Sequence, residues 1–154
     1  MSVPKSVVRF RKNGIEYTSS VDRASYTILE LTRAALRDVG KYLARMANTG
    51  AMKLPGLKKS RRVRGRTSTF LYNVPWAKTG LPHLEVGVTH DTWYGVEQEL
   101  GTSNQPKRQI LRNAAYLNLA QIIEIESQYL SALEDEAKAL RLISEEEYSG
   151  GGDN

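Results

Sequence analysis

Two stretches with helical apolar periodicity constrain most strongly what this sequence can fold into. In the first, apolar residues recur three, four or seven positions apart and so share one helix face. They are Ile28, Ala35, Val39, Tyr42 and Met46, with Leu29, Leu36 and Leu43 beside them. The spacing predicts an amphipathic helix over residues 21–47. We expect capping residues among 18–20 and an end at Asn48 and Gly50, which both tolerate the left-handed conformation.

The second stretch runs from Pro106, whose ring suits the first position of a helix, to about Ile143. Its apolar stripe also follows three-four spacing, through Leu119, Ile123, Leu130, Leu133, Ala137 and Leu140. So long a helix would extend beyond a domain of this size, so we expect a break near residue 120 or packing against a neighbouring subunit. The stripe then either faces the core of its own chain or forms an oligomer interface through Leu119, Ile123, Leu130, Leu133 and Leu140.

Short β-forming segments lie between and before the helices. Residues 7–17 alternate apolar and polar side chains around Asn13 and Gly14, which predicts an N-terminal hairpin. Residues 69–76 and 84–89 are rich in β-branched and aromatic side chains and predict a second hairpin. Residues 93–100 fit either a short strand or an isolated helical turn. The expected fold class is α+β, a small antiparallel sheet flanked by a long N-terminal helix and a long C-terminal helix.

The length of 154 residues fits one domain. We predict a single α+β domain over 1–148 with an exposed basic loop over 51–68, and a disordered tail over 149–154. No stretch reaches the about 18 consecutive apolar residues of a membrane span, and the N-terminus lacks the apolar region of a secretory signal. Because the chain has no cysteine, it has no disulfide and no thiolate metal site.

Charge is distributed unevenly along the chain. Residues 1–119 carry 20 Lys and Arg against 8 Asp and Glu, whereas residues 120–154 carry 2 against 9. A basic body and an acidic tail favour docking between copies or contact with a polyanion. The densest basic cluster, the candidate DNA or partner contact, consists of Lys58, Lys59, Arg61, Arg62, Arg64 and Arg66. A solvated loop is the alternative, and without stacking aromatic residues sequence-specific readout of a nucleic acid is not expected.

The sequence offers little catalytic chemistry. The two histidines, His83 and His90, could pair with Asp91, Glu97 or Glu99, but their spacing matches no known helical ligand pair. Nucleophile elbows and phosphate-binding glycine loops are missing from the sequence as well. We therefore expect no catalytic residue, no metal and no cofactor, and the alternative is an enzyme with an unrecognised site near these histidines.

One ordered string of residues carries a resemblance to a family. Residues 93–115, WYGVEQELGTSNQPKRQILRNAA, contain an aromatic pair with glycine, a Val-Glu and Gly-Thr run, a Pro and Arg element, and a helix with two alanines. The string resembles the signature of the neck or tail-completion proteins of tailed bacteriophages, which are minor head-to-tail joining proteins. Its candidate junction residues are Tyr94, Val96, Glu97, Leu100, Gly101, Thr102, Pro106, Ile110 and Leu111.

The resemblance implies a structural, non-enzymatic virion protein at the head-tail neck, assembled in the host cytoplasm. Such a protein forms a ring, expected to be hexameric, that joins the head connector to the tail tube around the DNA path. Its partners would be further copies of itself, head-completion or connector proteins, tail terminator or tail tube proteins, and the DNA in the lumen, but no membrane. The alternative is a nonspecific nucleic-acid-binding protein that acts through residues 58–66.

Overall fold

The computed structural model describes residues 8–53, 70–75, 81–88, 94–104, 106–135 and 137–143. The elements are β1 (Val8–Lys12), β2 (Ile15–Ser19), α1 (Val21–Lys53), β3 (Phe70–Asn73), β4 (Glu85–Val88), α2 (Tyr94–Leu100), α3 (Ile110–Tyr116) and α4 (Leu119–Leu130). A last helical stretch covers 137–143. The predicted α+β class, with its long N-terminal helix and small antiparallel sheets, is confirmed.

The chain divides into two compact units. The first combines the described residues up to Ala35 with those from Ser127 onward, and the second is formed by the described part of Leu36–Glu126. Helix α1 contributes residues to both. The single domain over 1–148 stays a prediction, and the tail 149–154 and residues 54–68 of the predicted basic loop lie outside the described residues.

The predicted N-terminal hairpin is present. Strands β1 and β2 pair antiparallel with Lys12 opposite Ile15, and only two residues connect them. These residues, Asn13 and Gly14, have φ angles of 53° and 80°. Positive φ at both positions is what a two-residue type I′ turn requires, and few residue pairs adopt it as readily as Asn-Gly.

Helix α1 begins at the predicted place but extends to Lys53, beyond the predicted end at 47. At its start, the Ser19 hydroxyl accepts a hydrogen bond from the Val21 N–H at 3.4 Å. At the predicted end, Asn48 does not cap the helix because its side chain is used elsewhere. Its Nδ2 donates to the Phe70 carbonyl at 2.8 Å, and its Oδ1 accepts from the Phe70 N–H at 3.1 Å.

The buried face of α1 within the second unit carries mostly small residues beside Val39. Ala44 and Ala47 are buried there, and Gly40 lies against the second hairpin. A Cβ atom at Gly40 would lie 2.6 Å from Tyr72 Cδ2 and 2.8 Å from Leu84 Cδ1. Small residues therefore let the strand side chains approach the helix backbone.

The core of the second unit forms where α1, β3 and α3 meet. Its buried members are Ala47, Phe70, Ile110 and Ala114, and partly buried Met46, Ala51, Val88 and Leu111 pack against them. Strands β3 and β4 pair antiparallel, with Phe70 opposite Val88, so the second predicted hairpin is also present. Of the large side chains described, Phe70 alone is fully buried.

The first unit has its own buried residues. The apolar ones are Leu31, Ala34, Tyr129, Ala132, Ala139 and Ile143. Arg33 is also buried and forms an ion pair with Glu30 at 3.4 Å, one helical turn away. By contrast, Ile28 and Leu29 of the predicted α1 stripe are exposed, so large apolar side chains of α1 remain outside the core.

The predicted long C-terminal helix is divided, and the predicted break near residue 120 lies at residues 117–118. Asn118 accounts for the break. Its Nδ2 donates to the Ala114 carbonyl at 2.8 Å, and its Oδ1 accepts from the Tyr42 hydroxyl at 2.9 Å. Its own carbonyl then accepts from the Ile122 N–H in the first turn of α4. One residue therefore closes α3, starts α4 and ties both to α1.

A second break follows α4. Residues 131–134 form turns, with i to i+3 hydrogen bonds from the Ala132 and Leu133 N–H groups. The Asp135 carboxylate then accepts from the N–H groups of Ala137 and Lys138, at 3.0 and 3.3 Å. This is the bonding of a helix N-cap, so the stretch 137–143 begins as a separate helix.

We predict opposite effects from two alanine substitutions in α1. Gly40→Ala should destabilise the protein by about 1–2 kcal/mol, because overpacking against Tyr72 exceeds the gain in helix propensity. Gly50→Ala should stabilise it by about 0.5–1 kcal/mol, because its new Cβ would meet only Ile110 Cγ2, at 3.9 Å. Urea unfolding of both variants measures the difference, and equal effects would contradict the close packing at Gly40.

We predict that Asn48→Ala lowers the free energy of unfolding by about 2–4 kcal/mol. The substitution leaves the buried N–H and carbonyl of Phe70 without their side-chain partners. Asn113→Ala is the control, because the exposed Asn113 amide makes only a long contact of 3.4 Å to the Arg108 carbonyl. Thermal unfolding that gave the two variants the same stability would disprove a role for Asn48 in anchoring β3.

Candidate assembly surfaces

The residues considered for catalysis are only partly described. His83 is exposed and lies 3.3 Å from the exposed Glu85 carboxylate, whereas His90 and Asp91 lie outside the described residues. In the described part of the chain, no three His, Asp or Glu side chains come together in a way that could hold a metal ion.

The predicted DNA or partner contact lies outside the described residues. Its members are Lys58, Lys59, Arg61, Arg62, Arg64 and Arg66. Among the residues that are described, Arg9, Arg11 and Lys12 of β1 are exposed. Arg9 and Arg11 are two positions apart, so they lie on the same face of the hairpin. They pair with Thr18 and Glu16 of β2.

The predicted junction begins with a helix. Residues Tyr94–Leu100 form α2, so the strand alternative for this segment is wrong. Helix α2 buries Gln98 and leaves Val96 and Leu100 exposed, while Glu97 is half-buried. Gly101 then reverses the chain with φ at 77°, and its N–H donates to the Glu97 carbonyl at 2.8 Å. A Cβ there would lie 2.8 Å from the Lys107 backbone nitrogen, so the position requires glycine.

The helix predicted to begin at Pro106 begins at Ile110 instead. The backbone of 106–109 is bonded to the end of α2. Arg108 N–H donates to the Gln98 carbonyl at 3.0 Å, and Gln109 N–H donates to the Glu99 carbonyl at 3.3 Å. Gln109 also has a left-handed φ of 51°. These bonds and this angle are incompatible with a helix at 106–109. Of the other junction residues, Thr102 and Pro106 are exposed.

Glu99 joins the two helices of the junction. Its carboxylate accepts from the N–H groups of Leu111 at 2.8 Å and Arg112 at 3.2 Å, in the first turn of α3. A carboxylate at the N-terminal end of a helix accepts hydrogen bonds from N–H groups that have no partner within the helix. Its negative charge also interacts favourably with the helix dipole. Ile110 and Leu111 then pack into the core of the unit. Glu99 was not among the predicted junction residues, because a cap supplied from 12 or 13 residues upstream has no local spacing signal.

Helix α4 has two apolar faces. Leu119, Ile123 and Leu130 are 54%, 56% and 65% exposed and lie on one face at about 100° per residue. The neighbouring face carries half-buried Ile122 and Ile125 and buried Tyr129. The predicted stripe is therefore not core, because other residues of α4 supply the core contacts. Leu133, in the next turn, is also exposed, and Leu140 is half-buried.

A second exposed apolar group lies at the corner between α3 and α4. Tyr116 and Leu117 are 70% and 83% exposed and directly precede Asn118. Arg112 lies over the Tyr116 ring, 5.5 Å from its centroid. Helical periodicity did not identify these two residues, because the helix is interrupted at 117–118.

None of the described helices is long and apolar enough to cross a membrane.

We predict that Glu99→Ala lowers the free energy of unfolding by about 0.5–2 kcal/mol, the usual loss for a helix cap. Two N–H groups of α3 would lose their acceptor. Glu97→Ala is a matched control, two residues away on the same short helix. Chemical denaturation and helical circular dichroism measure both variants, and a larger loss for Glu97→Ala would refute the capping role of Glu99.

Comparison of the chain with protein-family models, with curated proteins and with solved structures gives no match in any of the three.

Proposed function

We propose that this chain is a structural, non-enzymatic component of a tailed-phage neck. It would associate into a ring, expected to hold six copies, between the head connector and the tail tube. The kind of assembly comes from the resemblance of residues 93–115 to tail-completion proteins. The proposed partners are further copies of the chain, head-completion or connector proteins, tail terminator or tail tube proteins, and the DNA that passes through the lumen.

The observation that carries the proposal is the exposed apolar face of α4, formed by Leu119, Ile123 and Leu130. Fully burying a leucine or isoleucine contributes about 1.5–3 kcal/mol. Because these three side chains are more than half exposed, folding of the single chain gains only part of that stabilisation. Glu126 is also exposed on this face, between Ile123 and Leu130. A group of large exposed apolar side chains with polar neighbours marks an interaction site.

The small size of the buried side chains supports the same proposal. Among the described residues, half of the buried apolar side chains are alanines, such as Ala34, Ala44, Ala47 and Ala114. An alanine-rich core buries little apolar area for each ordered residue. Several larger apolar side chains, such as Leu119, Ile123 and Leu130, are exposed instead. Association would bury them.

Charge on α4 fits a partner with a basic surface. Glu124 and Glu126 are exposed on the helix, and residues 119–130 contain no Lys or Arg. The rest of the chain up to residue 119 is strongly basic. Contact between an acidic helix of one copy and a basic surface of the next uses two different patches. Such heterologous contacts close into rings when the rotation permits.

The rival function is nonspecific nucleic-acid binding through residues 58–66, and the six cations of that segment favour it. Binding of this kind weakens steeply with salt because it depends on counterion release. It does not require an exposed apolar helix face. The two functions therefore differ in which substitutions abolish binding.

The test is binding of the purified protein, at moderate salt, to DNA-filled heads and to tails assembled without it. We predict saturable binding to heads or tails that falls at least tenfold when Leu119 and Ile123 are both replaced by Asp. Replacing Gln121 and Gln128 by Asp is the matched control, since it adds the same charge to exposed polar positions of α4. Circular dichroism checks that all variants fold.

Two results would refute the neck assignment. One is failure of the protein to bind either structure. The other is binding to free DNA that depends on salt and on residues 58–66, with both α4 variants binding like the parent protein. The second result would support the nucleic-acid-binding function instead.

A further inference from the structure

Hydrogen bonds hold the backbone at the corner between α3 and α4. Tyr116 and Leu117 are exposed, whereas the next residue, Asn118, is held from inside by Tyr42 and Ala114. The Leu117 N–H also donates to the Asn113 carbonyl at 3.0 Å. Two large apolar side chains are thus presented on a backbone that is fixed by hydrogen bonds. A backbone that is already ordered loses little further entropy when these side chains bind.

The second hairpin provides a depression of matching character in the same unit. A cavity of about 390 Å³ is lined by Leu71, Tyr72, Asn73, Glu85, Val86, Gly87 and Val88, all from β3 and β4. An apolar cavity of about 150 Å³ accommodates a benzene ring. The depression is therefore large enough for the ring of Tyr116 together with the side chain of Leu117. Gly87 carries no side chain that would fill it.

Charges on the projection and on the depression are complementary. The projection carries Arg112, which lies over the Tyr116 ring at 5.5 Å. The depression carries Glu85, whose two carboxylate oxygens are contacted by Asn73 Nδ2 at 3.2 Å and His83 Nε2 at 3.3 Å. An Arg beside the inserted apolar group would meet a carboxylate whose position is already fixed. Aromatic and Arg side chains together are the usual centre of a protein interface.

We infer that the corner residues Tyr116 and Leu117 of one copy dock into the β3–β4 depression of a second copy, with Arg112 paired to Glu85. The two surfaces differ, so the contact is heterologous and each copy can both donate a corner and accept one. The inference rests on the proposed function because it supplies the contact between neighbours in the ring. This contact does not involve the exposed face of α4 formed by Leu119, Ile123 and Leu130.

A charge-reversal cycle tests the pairing. Self-association is measured by sedimentation of the full chain at high concentration and by the number of copies bound per head. Arg112→Glu and Glu85→Arg should each weaken association about tenfold, and the double variant should restore it. Arg45→Glu is the matched control, since Arg45 lies over the Tyr42 ring at 5.9 Å in the same unit. Loss without restoration in the double variant would overturn the inference.

A crosslinking experiment locates the contact directly. A photoreactive residue in place of Leu117 should crosslink to residues 71–73 or 85–88 of a second copy, and the same probe in place of Gln121 should not. Crosslinks between copies at other places, or no crosslink between copies on heads or in solution, would each overturn this contact. Binding to heads or tails is a separate measurement, so the neck proposal stands or fails independently of the crosslink.

Discussion

The second unit depends on the two hydrogen bonds between Asn48 and Phe70. A two-stranded hairpin is only marginally stable in water and needs a surface to pack against. The Asn48 amide supplies one donor and one acceptor to the first residue of β3, as a neighbouring strand would. Phe70 is thereby held over α1, where it fills the core with Ile110 and Ala114. The hairpin, α1 and α3 share this one anchoring point.

Close packing on α1 determines what remains outside. Gly40, Ala44 and Ala47 let neighbouring side chains approach the helix backbone. Small residues on α1 leave little volume between the helix and its neighbours. Among the described residues, Phe70 is the large side chain that is fully buried there. Two groups of large apolar side chains remain exposed and form a surplus of apolar surface: Leu119, Ile123 and Leu130, and Tyr116 and Leu117. Surplus apolar surface on rigid elements is the property that an assembly protein needs, which is why we connect this packing to the proposed neck function.

The segment 94–112 acts as a joint whose angle is set by backbone chemistry. Gly101 supplies the reversal, and Glu99 receives the first turn of α3. The sequence string that resembles tail-completion proteins thus coincides with a structure in which glycine and a carboxylate have defined physical roles. Pro106, by contrast, does not start a helix, because its neighbours Arg108 and Gln109 donate to the end of α2. The helix start predicted at Pro106 is therefore wrong, and the resemblance of the string stays a prediction.

The sequence by itself determined the features that depend on near neighbours. Asn13 and Gly14 dictate the first turn, the helical spacing dictates α1, and β-branched residues with turn formers dictate the second hairpin. Only the tertiary structure decided which apolar face is buried, where α1 ends and how the C-terminal helix is divided. These outcomes depend on Asn48 with Phe70, on Asn118 with Tyr42, and on Glu99 with α3. Each is a hydrogen bond between residues far apart along the chain, and local periodicity carries no information about such partners.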